Sequence, residues 1–390
     1  MPLIVAGERR GSLVLGAASL LSAVLGSVHA FSVFLAPLET QFGVGRSAIS
    51  GIYSGALVCL TLSVLLGHRF YARTSAARFV LLTALIGAMG ALIAGYAPSV
   101  PLVWLGYCVF FGLANGLGYG FGLQIAAQVN PGREGVAMGV VTATYALGAA
   151  VSPLLFDMAM GAGGFRFAMI CLASSLIAAG GLSAAAMARA DARYAKPRPE
   201  GTGPALQSTS QQSLILLWVT YFGGVMAGLM VIGHSAGIAA EAEGARYLWL
   251  APALLAVCNL GGSLAGGRLS DTYPARNVLT LLSVLTILAL AALAGGPGFV
   301  GVLVCLGGVG LAYGGTIAAH PAYIAKRYGE QGSARVYGRI FTAWGAAGLA
   351  GPGLAGVLYE ASGTYLSAFA VAACFGLVSI ASARVFFRSA

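Results

Sequence analysis

The sequence predicts an all-α membrane protein of twelve transmembrane helices, arranged as two parallel-repeat six-helix bundles. Three observations carry this expectation: a dozen long apolar stretches, a one-sided distribution of basic residues between them, and motifs that recur on either side of a single long polar segment. Of the 390 residues, 58% are apolar and only 8% charged, and the mean hydropathy is +0.88. A water-soluble globule of this length has no interior large enough to hide so much apolar surface, so the bilayer is the solvent the composition demands.

A helix needs about 20 apolar residues to cross the hydrocarbon. Candidates lie near 11–37, 48–68, 77–97, 101–128, 135–160, 164–188, 213–240, 246–267, 276–295, 298–325, 336–359 and 364–383. Lys and Arg in short loops stay on the cytoplasmic side. With the N-terminus inside, 18 of the 21 basic residues fall on inner segments, and only Arg46, Arg166 and Arg246 on outer loops. The even span count and the charge bias agree on two cytoplasmic termini, in the inner (plasma) membrane of a bacterium. The net charge of +10 then reflects topology and anionic lipid. No basic run is interleaved with aromatics, so no nucleic-acid binding is expected.

Arg9 and Arg10 precede an apolar stretch ending Ser27-Val28-His29-Ala30, which offers a rival reading as a cleaved signal peptide. The stretch runs on through 31–35, too long for such a leader. The six cysteines sit singly inside spans with no CxxC, and read as small buried apolar residues.

The one long polar, proline-bearing stretch, 188–212, divides the spans six and six. The expected domains are an N-terminal bundle at 1–188, a cytoplasmic linker at 189–212 and a C-terminal bundle at 213–390. Gly116-Leu117-Gly118-Tyr119-Gly120 in the fourth span answers Gly310-Leu311-Ala312-Tyr313-Gly314 in the tenth. Gly139, Tyr145 and Pro153 in the fifth match Gly338, Trp344 and Pro352 in the eleventh. Six spans per half make the repeat parallel, related by an axis along the membrane normal, a layout suited to one bundle rocking against the other. Small residues at four-residue spacing, such as Gly112, Gly116 and Gly120, let helices approach closely.

Gly267-Arg268-Leu269-Ser270-Asp271, followed by Arg276, resembles the G-x-L-[AS]-D signature of the major facilitator superfamily. The resemblance implies that Asp271 with Arg268 and Arg276 latches one conformation at the inner face; the first-half copy has Tyr71 where the acid is expected. Within the superfamily the chain is most similar to the oxalate/formate antiporter and monocarboxylate transporter branch, through 26–34 of span one, Arg133-Glu134-Gly135-Val136-Ala137-Met138-Gly139, and Phe341-Thr342-Ala343-Trp344-Gly345 with Gly351-Pro352. This implies transport of a small carboxylate. The branch places an arginine on span eight where this chain has Ser263, four residues after Asn259. Without that cation a dianion such as oxalate is poorly served.

Among the acids only Asp157 lies inside a span, near its outer end, so the candidate site rests on neutral polar groups. His29 and His234 occupy corresponding places in the two halves, and imidazole titrates near neutral pH. Tyr119 and Tyr313 are mid-span, repeat-related and able to hydrogen-bond a carboxylate. Asn259, Ser263, Gln124 and Trp344 complete the expected substrate site. A second reading takes Met226, Met230 and His234, one stripe on span seven, as ligands for Cu(I), resembling an M-x-x-x-M motif of copper importers in the same superfamily. An enzyme is not expected, since no nucleophile-base grouping, metal cluster or phosphate-cradling loop occurs. The expected partners are a small-molecule substrate and lipid, the expected working form is a monomer, and no cofactor is implied.

Overall fold

The computed structural model describes residues 2–71, 73–130, 134–194, 211–242 and 247–389. Arg133, Arg246 and most of the predicted linker, 195–210, lie outside the described residues, as does the side chain of Asp271. Among the described residues there are helices and no strand. This follows from the solvent: backbone polar groups in hydrocarbon must pair internally, and a helix pairs them within one segment.

The spans are Arg10–Phe42 (span 1), Arg46–Gly67 (2), Ala76–Gly95 (3), Val100–Val129 (4), Ala137–Arg189 (5 and 6), Gln211–Ala240 (7), Leu250–Ser270 (8), Ala275–Ala294 (9), Phe299–Ile324 (10), Val336–Ser362 (11) and Leu366–Phe387 (12). The 53-residue stretch counts twice because the chain leaves helical geometry at Gly163 and Gly164. Gly164 has φ 68°, a left-handed conformation that glycine alone adopts without strain. Spans 10 and 11 fall in one helical run, Phe299–Ser362, yet they pack side by side, because Trp344 reaches back to Tyr313. Large apolar side chains stand exposed on many spans, Val300 at 72% and Leu182 at 63% among them. That surface suits lipid and not water.

The helices are not uniform. Span 1 tightens to a 3-10 helix over Gly26–Phe34, and span 4 widens to a π-helix over Trp104–Phe111. Neither segment contains a proline, though Gly26-Ser27 opens the first and Gly106 lies inside the second. Long 3-10 runs inside a helix often mark hinges, and π segments often mark functional positions.

The chain divides into two compact units: Met1–Phe31 with Gly55–Pro197, and Ser32–Ser54 with Arg198–Ala390. In the first unit, spans 2 and 4 cross where a side chain on Gly116 would strike the Leu60 carbonyl. In the second, spans 8 and 10 repeat the device: a side chain on Gly310 would strike the Leu255 carbonyl. The matched glycines of the two sequence halves thus make the same kind of contact, each setting backbone against backbone.

Candidate functional site

In the first unit, three spans deliver a cluster of neutral polar groups. The His29 ring, in the 3-10 segment of span 1, meets the Tyr145 ring of span 5 edge-on at 5.6 Å. Tyr145 packs on Tyr119 of span 4 at 4.8 Å and donates its hydroxyl to Asn115 Oδ1 at 2.9 Å. Asn115 in turn donates from Nδ2 to the Leu25 carbonyl at 2.6 Å, and the Tyr119 and Thr142 hydroxyls lie 3.2 Å apart. Leu25 is the last residue of the α-helix before the 3-10 segment, so the Asn115 bond ties span 4 to span 1 at the change of helix type. His29 and Tyr119 are therefore brought together, joined through Tyr145. Neither Tyr145 nor Asn115 was among the expected site residues; the match of Tyr145 with Trp344 was the available signal. Gln124 stands apart, accepting a hydrogen bond from Tyr194 beyond the end of span 6.

In the second unit, Trp344 donates its indole N–H to the Tyr313 hydroxyl at 2.8 Å and stacks on Phe341 at 5.2 Å. The two expected residues are partners. Asn259 and Ser263 are half-buried and turned onto span 10: the Ser263 hydroxyl reaches the Gly314 carbonyl at 3.2 Å and Asn259 Oδ1 at 3.4 Å. A cavity of about 200 Å³ opens at one end of spans 7 and 11, lined by Gln211, Leu214, Ile215, Trp218, Arg339 and Ile340. It contains none of the expected site residues.

Met226, Met230 and His234 are all packed inside the second unit. Met226 and Met230 are 0% and 2% exposed, and their backbone faces Gly351 of span 11. His234 is fully buried with both ring nitrogens occupied: Nε2 lies 2.8 Å from the Pro352 carbonyl and Nδ1 3.0 Å from the Tyr365 hydroxyl. A metal at Nδ1 would have to displace the Tyr365 hydroxyl. Among the described residues no three His, Cys, Asp or Glu side chains cluster for one either. His320 is also buried; its Nδ1 donates to the Thr316 carbonyl at 3.0 Å, and its ring lies 4.4 Å from that of Tyr221.

His234 belongs to a larger network in the second unit, at the ends of the spans that the charge pattern makes outer. Arg46, at the start of span 2, donates from Nε to Glu39 Oε1 at 2.6 Å and from Nη2 to Glu39 Oε2 at 3.0 Å. Its third nitrogen, Nη1, donates to the Tyr365 hydroxyl at 3.0 Å, and its plane lies over the Tyr359 ring at 4.5 Å. Burial pushes the Tyr365 phenol above the usual tyrosine range, against the pull of the Arg46 charge, so it remains a hydroxyl. Glu360 accepts the Ser47 N–H at 2.7 Å. That amide is one of the orphan donors at the N-terminus of span 2, and the carboxylate also complements the helix dipole there.

The Arg46 network was not expected from the sequence, in which Arg46 figures only as a charge on an expected outer loop. The inner latch expected there is incompletely described: the Asp271 side chain is outside the described residues, Arg268 is exposed, Arg276 half-buried, and neither arginine pairs with a described acid.

The family model described as Major Facilitator Superfamily matches residues 15–309 and 249–390. A protein of Escherichia coli (strain K12) described as the uncharacterized MFS-type transporter YhjX is 22% identical over 330 residues, covering 82% of this chain and 81% of that protein. The solved structure of the xylose transporter XylE from E. coli, in a partially occluded inward open conformation, superposes with a TM-score of 0.71 at 12% identity, covering 95% of this chain and 97% of that one. At that identity the likeness is one of fold.

Proposed function

The chain belongs to the Major Facilitator Superfamily, and from that premise we propose that this transporter carries a small organic anion of the monocarboxylate class. It is a multi-pass membrane protein working by alternating access, and not an enzyme. The observation that carries the substrate class is the chemistry of the buried and half-buried mid-span groups. They are hydroxyls, one amide, one indole and one imidazole: His29, Asn115, Tyr119, Thr142 and Tyr145 in one unit, Tyr313 and Trp344 in the other.

A single carboxylate can be held by several neutral donors, each contributing more than it would to an uncharged acceptor. A dianion buried without a cation is far more costly. In the first unit His29 and Tyr119 are the groups proposed to meet the substrate; in the second they are Tyr313 and Trp344, with Asn259 and Ser263 turned onto the same span as Tyr313. His234 and Gln124 are committed elsewhere and act on transport from outside the substrate's contact shell. The two six-span bundles at 1–188 and 213–390, both termini in the cytoplasm and residence in the inner membrane are part of the same reading, supported by the basic-residue asymmetry.

Ligand-induced stabilisation of the purified protein tests the class. Binding to the folded state raises the melting temperature by mass action. Formate, acetate and lactate are expected to do so, while oxalate and Cu(I) are not; a shift by oxalate alone, or by none of the acids, would count against the proposal.

A further inference from the structure

The Arg46 network contains a hydrogen-bond chain with a fixed direction. The Pro352 carbonyl can only accept, so His234 must carry its proton on Nε2. Neutral imidazole then has a bare lone pair at Nδ1, which accepts from the Tyr365 hydroxyl. The Tyr365 oxygen, having given its hydrogen to His234, accepts from Arg46 Nη1. Every donor has one acceptor, and the order is broken by adding a single proton.

We propose that His234 is the proton-binding group of this transporter, and that a proton on Nδ1 releases the Arg46–Tyr365 contact holding the outer ends of spans 1 and 2. The step moves one proton from water to Nδ1: an N–H bond forms, a hydronium gives up its proton, and the ring becomes a cation. Nδ1 is then a donor, the Tyr365 oxygen faces donors from both sides, and its own hydrogen has lost its acceptor. Two cations are also left bridged by one hydroxyl. Room to rearrange in place is lacking: Gly237, one turn beyond His234, sits so close that a side-chain carbon there would come within 2.6 Å of the Tyr365 hydroxyl and 3.1 Å of Arg46 Nη1.

Other groups face the imidazole or its partners. Tyr53 of span 2 lies beside Gly233, Tyr359 of span 11 lies under Arg46, and Glu39 neutralises the guanidinium. Glu241, at the end of span 7, accepts the Tyr365 backbone N–H, and Glu360 holds Ser47. These carboxylates are the competing titrations, and all stay unchanged in a His234 variant.

The inference deepens the carrier reading by naming its coupling ion, and its test uses no substrate, so failure of one is distinguishable from failure of the other. Amide exchange over 43–50, which contains the Ser47 N–H held by Glu360, is measured at about pH 7.5 and about pH 5.5, where histidine titrates, with the intrinsic pH dependence of exchange divided out. In the native chain exchange there is expected to be about tenfold faster at the acid pH, a change of about 1.4 kcal/mol in the closed state. In His234→Asn, which keeps an acceptor for Tyr365 and cannot titrate, the acid effect should vanish. In Tyr365→Phe the segment should exchange fast at both pH values. Unchanged protection in the native chain, an acid effect surviving in His234→Asn, or full protection in Tyr365→Phe would each overturn the proposal.

Discussion

Trp344 donates its indole N–H to the Tyr313 hydroxyl at 2.8 Å, tying span 11 to span 10 across 31 residues of sequence. Trp344→Phe keeps a ring to stack on Phe341 and removes only that donor. The expected loss is about 0.5–1.5 kcal/mol of stability, the net worth of one hydrogen bond. Because Trp344 is also proposed to meet the substrate, the melting shift given by a monocarboxylate should shrink more than the melting temperature itself.

The glycines divide into two classes that behave oppositely. A methyl group on Gly310 would collide with the Leu255 carbonyl, whereas nothing lies within 4 Å of a methyl group on Gly338. Gly310→Ala is expected to cost about 1–3 kcal/mol through overpacking. Gly338→Ala should be neutral or stabilise by about 0.4–1 kcal/mol, since its helix only loses unfolded-state freedom. Thermal unfolding in one detergent reads both.

Arg46→Lys retains the charge but not the fork. Lysine cannot donate in parallel to both Glu39 oxygens while reaching Tyr365 and covering Tyr359. Loss of about 1–3 kcal/mol is expected in thermal unfolding. The Arg46 and Glu39 side chains are only 14% and 21% exposed, so the loss should depend weakly on salt.

Met226→Leu with Met230→Leu conserves volume on a packed surface. Each substitution should cost under about 1.5 kcal/mol, and copper accumulation in cells should be unchanged. A loss of copper uptake in that variant would restore a metal role to the stripe.

The spans were legible because hydrocarbon dictates length and composition over 20-residue windows. The repeat was legible because Gly116 and Gly310 leave the same mark in both halves. What sequence could not show was partnership over distance. Arg46 and Tyr365 are 319 positions apart, and an arginine beside an outer loop looks like a topology residue until its partners are known. His234 and Gln124 were expected to meet the substrate as polar residues in spans, and their hydrogen bonds go to Tyr365, Pro352 and Tyr194, none of which a local pattern identifies. The 3-10 and π segments were hidden for a related reason: Gly26 and Gly106 lie in them, but glycine recurs throughout these spans, and the Asn115 bond to the Leu25 carbonyl that accompanies the 3-10 segment joins residues 90 positions apart.

Counterflow in proteoliposomes tests the central claim most directly. Vesicles loaded with unlabelled monocarboxylate and diluted into a trace of the labelled acid should accumulate label transiently above its equilibrium level, because one site is alternately exposed to each side. Label that never exceeds the level in protein-free vesicles, for formate, acetate and lactate alike, would contradict the account.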